Sequence, residues 1–190
     1  MDGLTQVPST DGVDLAVHDL GGSGAPLLVS HATGFHGRCY APMAAALPSR
    51  HSIAFDYRGH GDTLRATGGR DWQQYGDDAE AMAAWLAQRV GGPIDAFGHS
   101  MGAACLLIAA HRRPELFRRI VAFEPIVFPP YARDADPKDS PLAQGALRRR
   151  AVFPSYEAAI ANYAGKPPLN GFDPAALEAY VRHGFRQDAD

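Results

Sequence analysis

The chain has 190 residues, of which 46% are hydrophobic, and a formal net charge of -3. This composition is typical of one soluble globular domain, and it offers no basic face for nucleic acid or for an anionic membrane surface. The N-terminus lacks a leader pattern and no run approaches the roughly 20 apolar residues of a membrane span, so we expect a cytoplasmic protein. Cys39 and Cys105 have neither metal-ligand nor disulfide spacing, and we expect both to be buried.

Strand and helix patterns alternate along the first part of the chain. "LTQV" and "VDLAVHDL" flank the turn pair Asp11-Gly12 and predict a hairpin. Four apolar runs predict further strands: "PLLVS", "HSIAFD", "PIDAF" and "RRIVAFEPIVF". Helices are predicted at "CYAPMAAAL" and over residues 73–90 and 101–112. The alternation predicts an α/β fold with a mostly parallel sheet flanked by helices.

The two longer helices are expected to pack on the sheet. In the helix over 73–90, the apolar stripe consists of Ala79, Met82, Trp85, Leu86 and Val90. Gly91 is expected to end this helix. The helix over 101–112 is apolar almost throughout, which predicts burial on most of its sides.

Residues 131–190 contain helical patterns but no convincing strand. The patterns are "GALRRRAVF", "SYEAAIANYA" and "DPAALEAYVRHGF". We therefore divide the chain into a core over residues 1–130 and a helical cap region over residues 131–190, which we expect to be cut short. The run Arg148-Arg149-Arg150 is interpreted as one solvated helix face.

The sequence "GHSMG", residues 98–102, lies between the predicted strand "PIDAF" and the predicted helix after it. A serine nucleophile requires this context: a strained strand-to-helix turn, where flanking glycines relieve clashes and the hydroxyl projects above the sheet. Ser100 is therefore the candidate nucleophile, beside a helix N-terminus that favours developing negative charge. The alternative is a serine that only caps the helix.

A second loop, "SHATGFHG", follows the predicted strand at 26–30. Acyl transfer by a serine requires two backbone N–H donors for the oxyanion, one after the nucleophile and one in a loop after an earlier strand. Met101 and Thr33 are the candidate donors. The candidate substrate-pocket residues are His31, Gly34, Phe35 and His99. The alternative interpretation of this loop is a plain glycine turn.

Four motifs in chain order, "HATGFHG", "DYRGHGDT", "GHSMG" and "FEPI", resemble those of the α/β-hydrolase superfamily. The resemblance implies a serine hydrolase with a helical cap over the site, without a metal or an organic cofactor. It implies a chiefly structural role for Asp56, Arg58 and Gly61. Serine rather than aspartate at position 100 argues against relatives that use a carboxylate nucleophile. Ala32 departs from the family, whose oxyanion loop usually has glycine at this position.

The family's chain order is serine, acid, histidine, with the acid after the seventh or, in some members, the sixth strand. We see no seventh or eighth strand, so we expect the histidine beyond residue 190 and an unstable or aggregation-prone chain. His111 lies roughly 16 Å from Ser100 along one helix and does not reach it. His183 in the cap region is an alternative base. Glu124, at the end of the sixth strand, either orients a histidine or fixes its loop.

These observations predict an esterase-like serine hydrolase that cleaves an ester or a related acyl bond of a small molecule, with no nucleic-acid or membrane partner. Thioesters, lactones and other bonds stay open, because the fold does not determine the chemistry. The alternative is a non-catalytic protein, an inactive fragment or pseudoenzyme, that binds a small ligand in the same pocket. The missing histidine favours this alternative. The oligomeric state is left open.

Overall fold

The computed structural model describes residues 5–63, 69–127 and 141–187. The strands are β1 (Thr5–Pro8), β2 (Asp14–Asp19), β3 (Ala25–Ser30), β4 (Arg50–Phe55), β5 (Ile94–His99) and β6 (Phe117–Phe123). They form one sheet in the order β1-β2-β4-β3-β5-β6. The β1–β2 and β2–β4 pairs are antiparallel, whereas the β4–β3, β3–β5 and β5–β6 pairs are parallel. The predicted fold class and the N-terminal hairpin are confirmed.

Helices lie between and after the parallel strands. They are α1 (Ala41–Ala45), α2 (Trp72–Val90), α3 (Met101–Arg112), α4 (Pro141–Leu147), α5 (Tyr156–Ala164) and α6 (Pro174–Gly184). α2 begins with a capping box of Asp71 and Gln74 and ends at Gly91, whose φ of 71° is left-handed. No helix of the described ranges is long and apolar enough to cross a membrane.

α2 and α3 pack on one face of the sheet and form the first apolar cluster. Ala79, Met82 and Leu86 of the predicted stripe are buried there. Val90 was wrongly placed in the buried stripe. It lies in the last turn of α2, and the residue is 44% exposed. α3 is buried along most of its length, as expected, with Leu107 as an exposed exception.

A second apolar cluster uses the other face of the sheet. Leu28 of β3 belongs to the first cluster, whereas Leu27 and Val29 belong to the second, as strand alternation requires. This second cluster continues through the 3-10 helix Gly37–Tyr40 into α5 and α6. α6 packs against α5, α1 and that 3-10 helix. The helical segment 141–187 is therefore joined to the sheet through the loop that follows β3.

The arginine run was wrongly interpreted as a helix face. α4 ends at Leu147, and the Arg149 N–H donates to the Ala146 carbonyl (3.1 Å) in a tight turn. Gly145 in the preceding turn lowers the helix propensity of this stretch. The three arginines thus follow α4, and the Arg149 side chain donates from Nη1 to the Tyr180 hydroxyl (3.2 Å).

Candidate active site

Ser100 lies between β5 and α3, at the strand-to-helix turn that the sequence predicts. Its backbone angles, φ 54° and ψ -115°, are strained for a residue with a side chain. The Ser100 N–H donates to the Phe123 carbonyl at the end of β6 (2.9 Å), and its carbonyl accepts from the Ala104 N–H (3.1 Å). Hydrogen bonds to β6 and to α3 therefore hold the strained turn in place.

Close packing requires both glycines of "GHSMG". A Cβ at Gly98 would lie 2.5 Å from Ala103 Cα, and a Cβ at Gly102 would lie 2.4 Å from the Ser30 carbonyl oxygen. Both distances are shorter than van der Waals contact, so only glycine fits at these two positions. The motif thus brings α3 directly against β5 and β3.

The loop after β3 makes a tight turn beside Ser100. Its Phe35 N–H donates to the Ala32 carbonyl (3.1 Å), and Gly34 has a left-handed φ of 75°. Ala32 is not among the described residues with positive φ, so an alanine side chain fits there. The conformational freedom that this loop needs lies at Gly34 rather than at position 32.

Both candidate oxyanion donors lie at the edge of the sheet that carries Ser100. β3 and β5 are adjacent parallel strands, with Ser30 opposite Gly98, so the segments that follow them begin side by side. Exposed Thr33 follows β3 and Met101 is the first residue of α3. Among the described residues, neither N–H takes part in the hydrogen bonds that close turns and caps.

Tyr40 connects the two loops, a role that the sequence analysis missed. Its hydroxyl accepts from the Ala32 N–H (3.1 Å) and lies 2.9 Å from His99 Nδ1. The hydroxyl can accept from the Ala32 N–H and still take part in the hydrogen bond with His99, because it has one O–H and two lone pairs. Burial raises the pKa of Tyr40, so the hydroxyl stays protonated. One side chain thus fixes the spacing between the β3 loop and the residue before Ser100.

His31 lies beneath the site rather than in a pocket. Its ring is fully buried, Nδ1 donates to the Ala32 carbonyl (2.8 Å), and Nε2 accepts from the Tyr57 N–H (3.1 Å). Burial, together with the nearby His60, lowers the pKa of His31 to about 3. A neutral ring with both nitrogens occupied supports the turn, and the structure leaves no face of it for substrate.

Asp56 and Arg58 of "DYRGHGD" stabilise the loops around the site. Asp56 accepts from the N–H groups of Gly37 (2.6 Å) and Asp62 (2.8 Å) and from His18 Nε2 (2.7 Å). Burial raises the pKa of Asp56, but the His18 hydrogen bond and charge outweigh it and hold that pKa well below its usual range. His18, Asp56 and Asp62 have the donor types of a metal site. The three hydrogen bonds of Asp56 connect this cluster to β2 and to the loops after β3 and β4.

Fully buried Arg58 forms a second internal network. It pairs with Asp78 (2.7 Å) and with Asp11 (2.9 Å) and so connects the turn after β4 to α2 and to the hairpin. A buried charge of this kind is stable only when it is paired. Both residues of the motif therefore position the fold around the site.

Glu124 directly follows β6, at the same edge as Ser100. It is exposed and has a left-handed φ of 46°, and the carbonyl of the preceding Phe123 accepts from the Ser100 N–H. Burial lowers the pKa of His99, and the nearby Glu124 carboxylate opposes that shift. The carboxylate therefore lies in the electrostatic neighbourhood of the candidate nucleophile.

The described residues bring no histidine ring into hydrogen bonding with the Ser100 hydroxyl. Exposed His183 lies on α6 with its ring centre 6.3 Å from that of His36, over the 3-10 helix rather than over the turn after β5. His111 lies at the far end of α3. Two histidines considered from the sequence thus lie outside the candidate site.

An aromatic wall consists of Phe35, His99, Phe172 and Tyr180. The Phe35 ring centre lies 6.1 Å from that of His99, 5.7 Å from that of Phe172 and 5.4 Å from that of Tyr180. Phe35 and His99 were both expected at the pocket from the sequence. The two other residues come from the helical segment and were missed, because the sequence gives no signal for contacts between such distant segments.

The chain belongs to the alpha/beta hydrolase family, whose sequence profile matches residues 27–189. It is similar to a 2-(acetamidomethylene)succinate hydrolase of Mesorhizobium japonicum, with 33% identity over 111 residues, 58% of this chain and 38% of that protein. It is also similar to the lipase LipV of Mycobacterium tuberculosis, with 33% identity over 132 residues, 69% of this chain and 49% of that protein.

A solved structure shares the fold over nearly the whole chain. The crystal structure of an E-2-(acetamidomethylene)succinate hydrolase has a TM-score of 0.75 and 28% identity. The match covers 96% of this chain and 64% of that one. The chain therefore spans less than two thirds of the length of these relatives, all of which are hydrolases by name.

Proposed function

We propose that the protein is a serine hydrolase that cleaves an ester or a related acyl bond of a small molecule. Ser100 attacks the carbonyl carbon, and the N–H groups of Thr33 and Met101 donate to the oxyanion of the tetrahedral intermediate. A general-base imidazole takes the proton of the Ser100 hydroxyl and passes it to the leaving group, which departs and leaves an acyl-enzyme. Water then releases the acid and regenerates the serine. The scheme uses protein groups and water alone.

The observation that carries this proposal is the strained backbone of Ser100. A non-glycine residue at φ 54° costs on the order of 1–3 kcal/mol and persists where the surrounding structure holds it. A serine that only caps a helix has an extended backbone and accepts from the helix N–H groups. Ser100 makes no such side-chain cap. Its conformation supports the nucleophile and argues against the cap alternative.

We propose Glu124 as the acid that orients the imidazole of the general base. Its position after β6 and its left-handed φ support this role, because strained residues concentrate at functional sites. The hydrogen-bonded backbones of Phe123 and Ser100 fix its distance from the nucleophile. We further propose the helical segment 141–187 as the cap that selects the substrate, since Phe172 and Tyr180 contact Phe35.

The relatives support hydrolysis of an acyl bond more strongly than any particular substrate. One is named for a succinate derivative and another as a lipase. Type I acyl-CoA thioesterases of Penicillium are further relatives, at 26–29% identity. Substrates as different as these suit one fold, because the fold does not determine the chemistry.

Labelling with a fluorophosphonate probe tests the proposal, because the probe reacts only with an activated serine. We expect stoichiometric labelling of the protein, measured by intact-mass spectrometry, and none of the Ser100→Ala variant. Ser23→Ala is the matched control, since exposed Ser23 only donates to the Pro48 carbonyl. This control should label fully. Labelling that survives Ser100→Ala, or that Ser23→Ala removes, contradicts the assignment.

A second candidate function is binding without catalysis. The observation that favours it is the lack of a hydrogen bond between Ser100 and any imidazole among the described residues. A binding protein would keep the wall of Phe35, His99, Phe172 and Tyr180 but would not activate the hydroxyl. Unlabelled, folded protein in the probe experiment would support this second function instead.

A further inference from the structure

Arg149 approaches the loop that carries the proposed oxyanion donor. Its Nη1 atom lies 3.5 Å from the position that a Cβ would occupy at Gly34, the residue after Thr33. Any side chain at position 34 would therefore contact the guanidinium. Gly34 is exposed, so the approach happens at the solvent side of the loop. The helical segment thus places a cation beside the candidate active site.

The guanidinium is held by a neutral group. Nη1 donates to the Tyr180 hydroxyl (3.2 Å), and the Tyr180 ring is buried against Phe35 and His36. This hydrogen bond comes from α6, whose packing on the 3-10 helix fixes the position of Tyr180. Tyr180 therefore restricts where the arginine can point without neutralising its charge.

Arg149 forms no salt bridge within the described part of the chain. Other arginines near the site do: Arg38 and Arg186 approach Asp62, and Arg58 pairs with Asp78. The guanidinium has five N–H donors in a planar arrangement. Within the described residues, one of these donors forms a hydrogen bond, to the Tyr180 hydroxyl. The remaining donors match a carboxylate, which accepts two parallel hydrogen bonds.

We propose that Arg149 binds a carboxylate of the substrate, so that the hydrolase acts on an acyl compound that carries a negative charge near the scissile bond. This inference rests on the proposed function, because it places the ligand at the Ser100 site. The aromatic wall contacts the apolar part of the substrate, and Arg149 binds its anionic end. Gly34 has no side chain, so the guanidinium can approach the loop at this position.

Binding of succinate to the Ser100→Ala variant tests this role, measured by isothermal titration calorimetry. The variant lacks the candidate nucleophile, so the titration measures binding alone, and no substrate needs to be known. On this background, Arg149→Gln should weaken succinate binding at least about tenfold, as expected for the loss of a charge-assisted hydrogen-bonded pair. Tyr180→Phe keeps the ring, removes the anchoring hydroxyl, and should weaken binding by a smaller factor of about three.

The neighbouring Arg148→Gln is the matched control, because it removes the same charge from an exposed residue of the same turn. It should leave succinate binding within about twofold. Succinamide lacks the charge, so its affinity should be the same for the protein with Arg149 and for the Arg149→Gln variant. Circular dichroism checks each fold, and Arg149→Lys, which keeps the charge but not the planar donors, should bind with intermediate affinity.

The inference is overturned if succinate does not bind, if both arginine variants weaken it equally, or if neither does. The probe labelling of Ser100 is read separately on the protein with its serine. Labelling without succinate binding leaves a hydrolase of neutral substrates. If succinate binding depends on Arg149 but the probe does not label Ser100, the carboxylate site is supported and the proposed hydrolase activity is contradicted.

Discussion

At the scale of single residues, two strained backbones meet at one junction. Ser100 has φ 54° and Glu124 has φ 46°, and few other non-glycine residues of the described chain have positive φ. They belong to one hydrogen-bonded unit, since Ser100 donates to Phe123 and its carbonyl accepts from Ile126 (3.4 Å). Each strained turn therefore stabilises the other, which explains how the fold keeps a conformation that neither residue favours alone.

His31 makes the stability of the chain depend on pH. Its pKa of about 3 in the folded protein lies below the ordinary value of 6.5. Between these values only the unfolded chain takes up a proton at this position, so the unfolded state gains stability as the pH falls. The contribution of His31 to the free energy of unfolding should therefore have its full value above pH 6.5. At lower pH the free energy of unfolding should fall, by up to about 1.4 kcal/mol per pH unit.

Urea denaturation at about pH 7.5 and about pH 5 measures this slope. His31→Gln should be less stable than the parent at the higher pH, because two buried hydrogen bonds are disturbed, but its stability should change less between the two pH values. The control is His111→Gln at an exposed position. Equal slopes for the parent and His31→Gln would contradict the assignment of a neutral, buried ring.

At the scale of elements, the turn between β5 and α3 depends on two glycines. Gly98→Ala and Gly102→Ala should each destabilise the chain by about 2–3 kcal/mol or more, because each Cβ would overlap backbone atoms of α3 or β3. Gly92→Ala, where no heavy atom lies within 4 Å of the new Cβ, should change the stability by less than about 0.5 kcal/mol. Thermal melts compare the three variants, and similar melting temperatures would contradict this account.

The sequence predicted the elements well because their signals are local. Apolar runs and periodicity locate β3, β5, α2 and α3 to within a residue or two, and "GHSMG" locates the strained turn. Tyr40 and Arg149 were missed for the opposite reason. Tyr40 contacts a histidine 59 residues away, and Arg149 contacts a tyrosine 31 residues away. Only tertiary packing brings such pairs together, and neither residue belongs to a recognisable motif.

At the scale of the whole molecule, the strand order explains where the site forms. The chain passes from β3 to β4 on one side and then crosses to β5 on the other side of β3. The segments after β3 and β5 therefore diverge to opposite faces and leave a crevice at the carboxyl ends of these strands. The Thr33 loop and Ser100 lie at this crevice, and the helical segment adds Tyr180 and Arg149 beside it.

β6 is the last strand in the sheet order and forms an edge with exposed apolar side chains. β6 pairs with β5 on one side, and no other strand of the described residues pairs with it. Val121 is 60% exposed and Phe123 is 51% exposed. Open edges with apolar side chains associate with other chains. We therefore expect the 190-residue chain to self-associate, with a sedimentation coefficient that rises with protein concentration.

Val121→Lys should reduce this self-association, because a charge on an edge strand opposes strand pairing. Val90→Lys is the matched control: it adds the same charge at an exposed apolar residue, 44% exposed, on the last turn of α2. If the edge is responsible, analytical ultracentrifugation will show weaker association for Val121→Lys and unchanged association for Val90→Lys. Equal effects of the two variants would assign the association to net charge, and a monomeric parent at all concentrations would show that the β6 edge is protected.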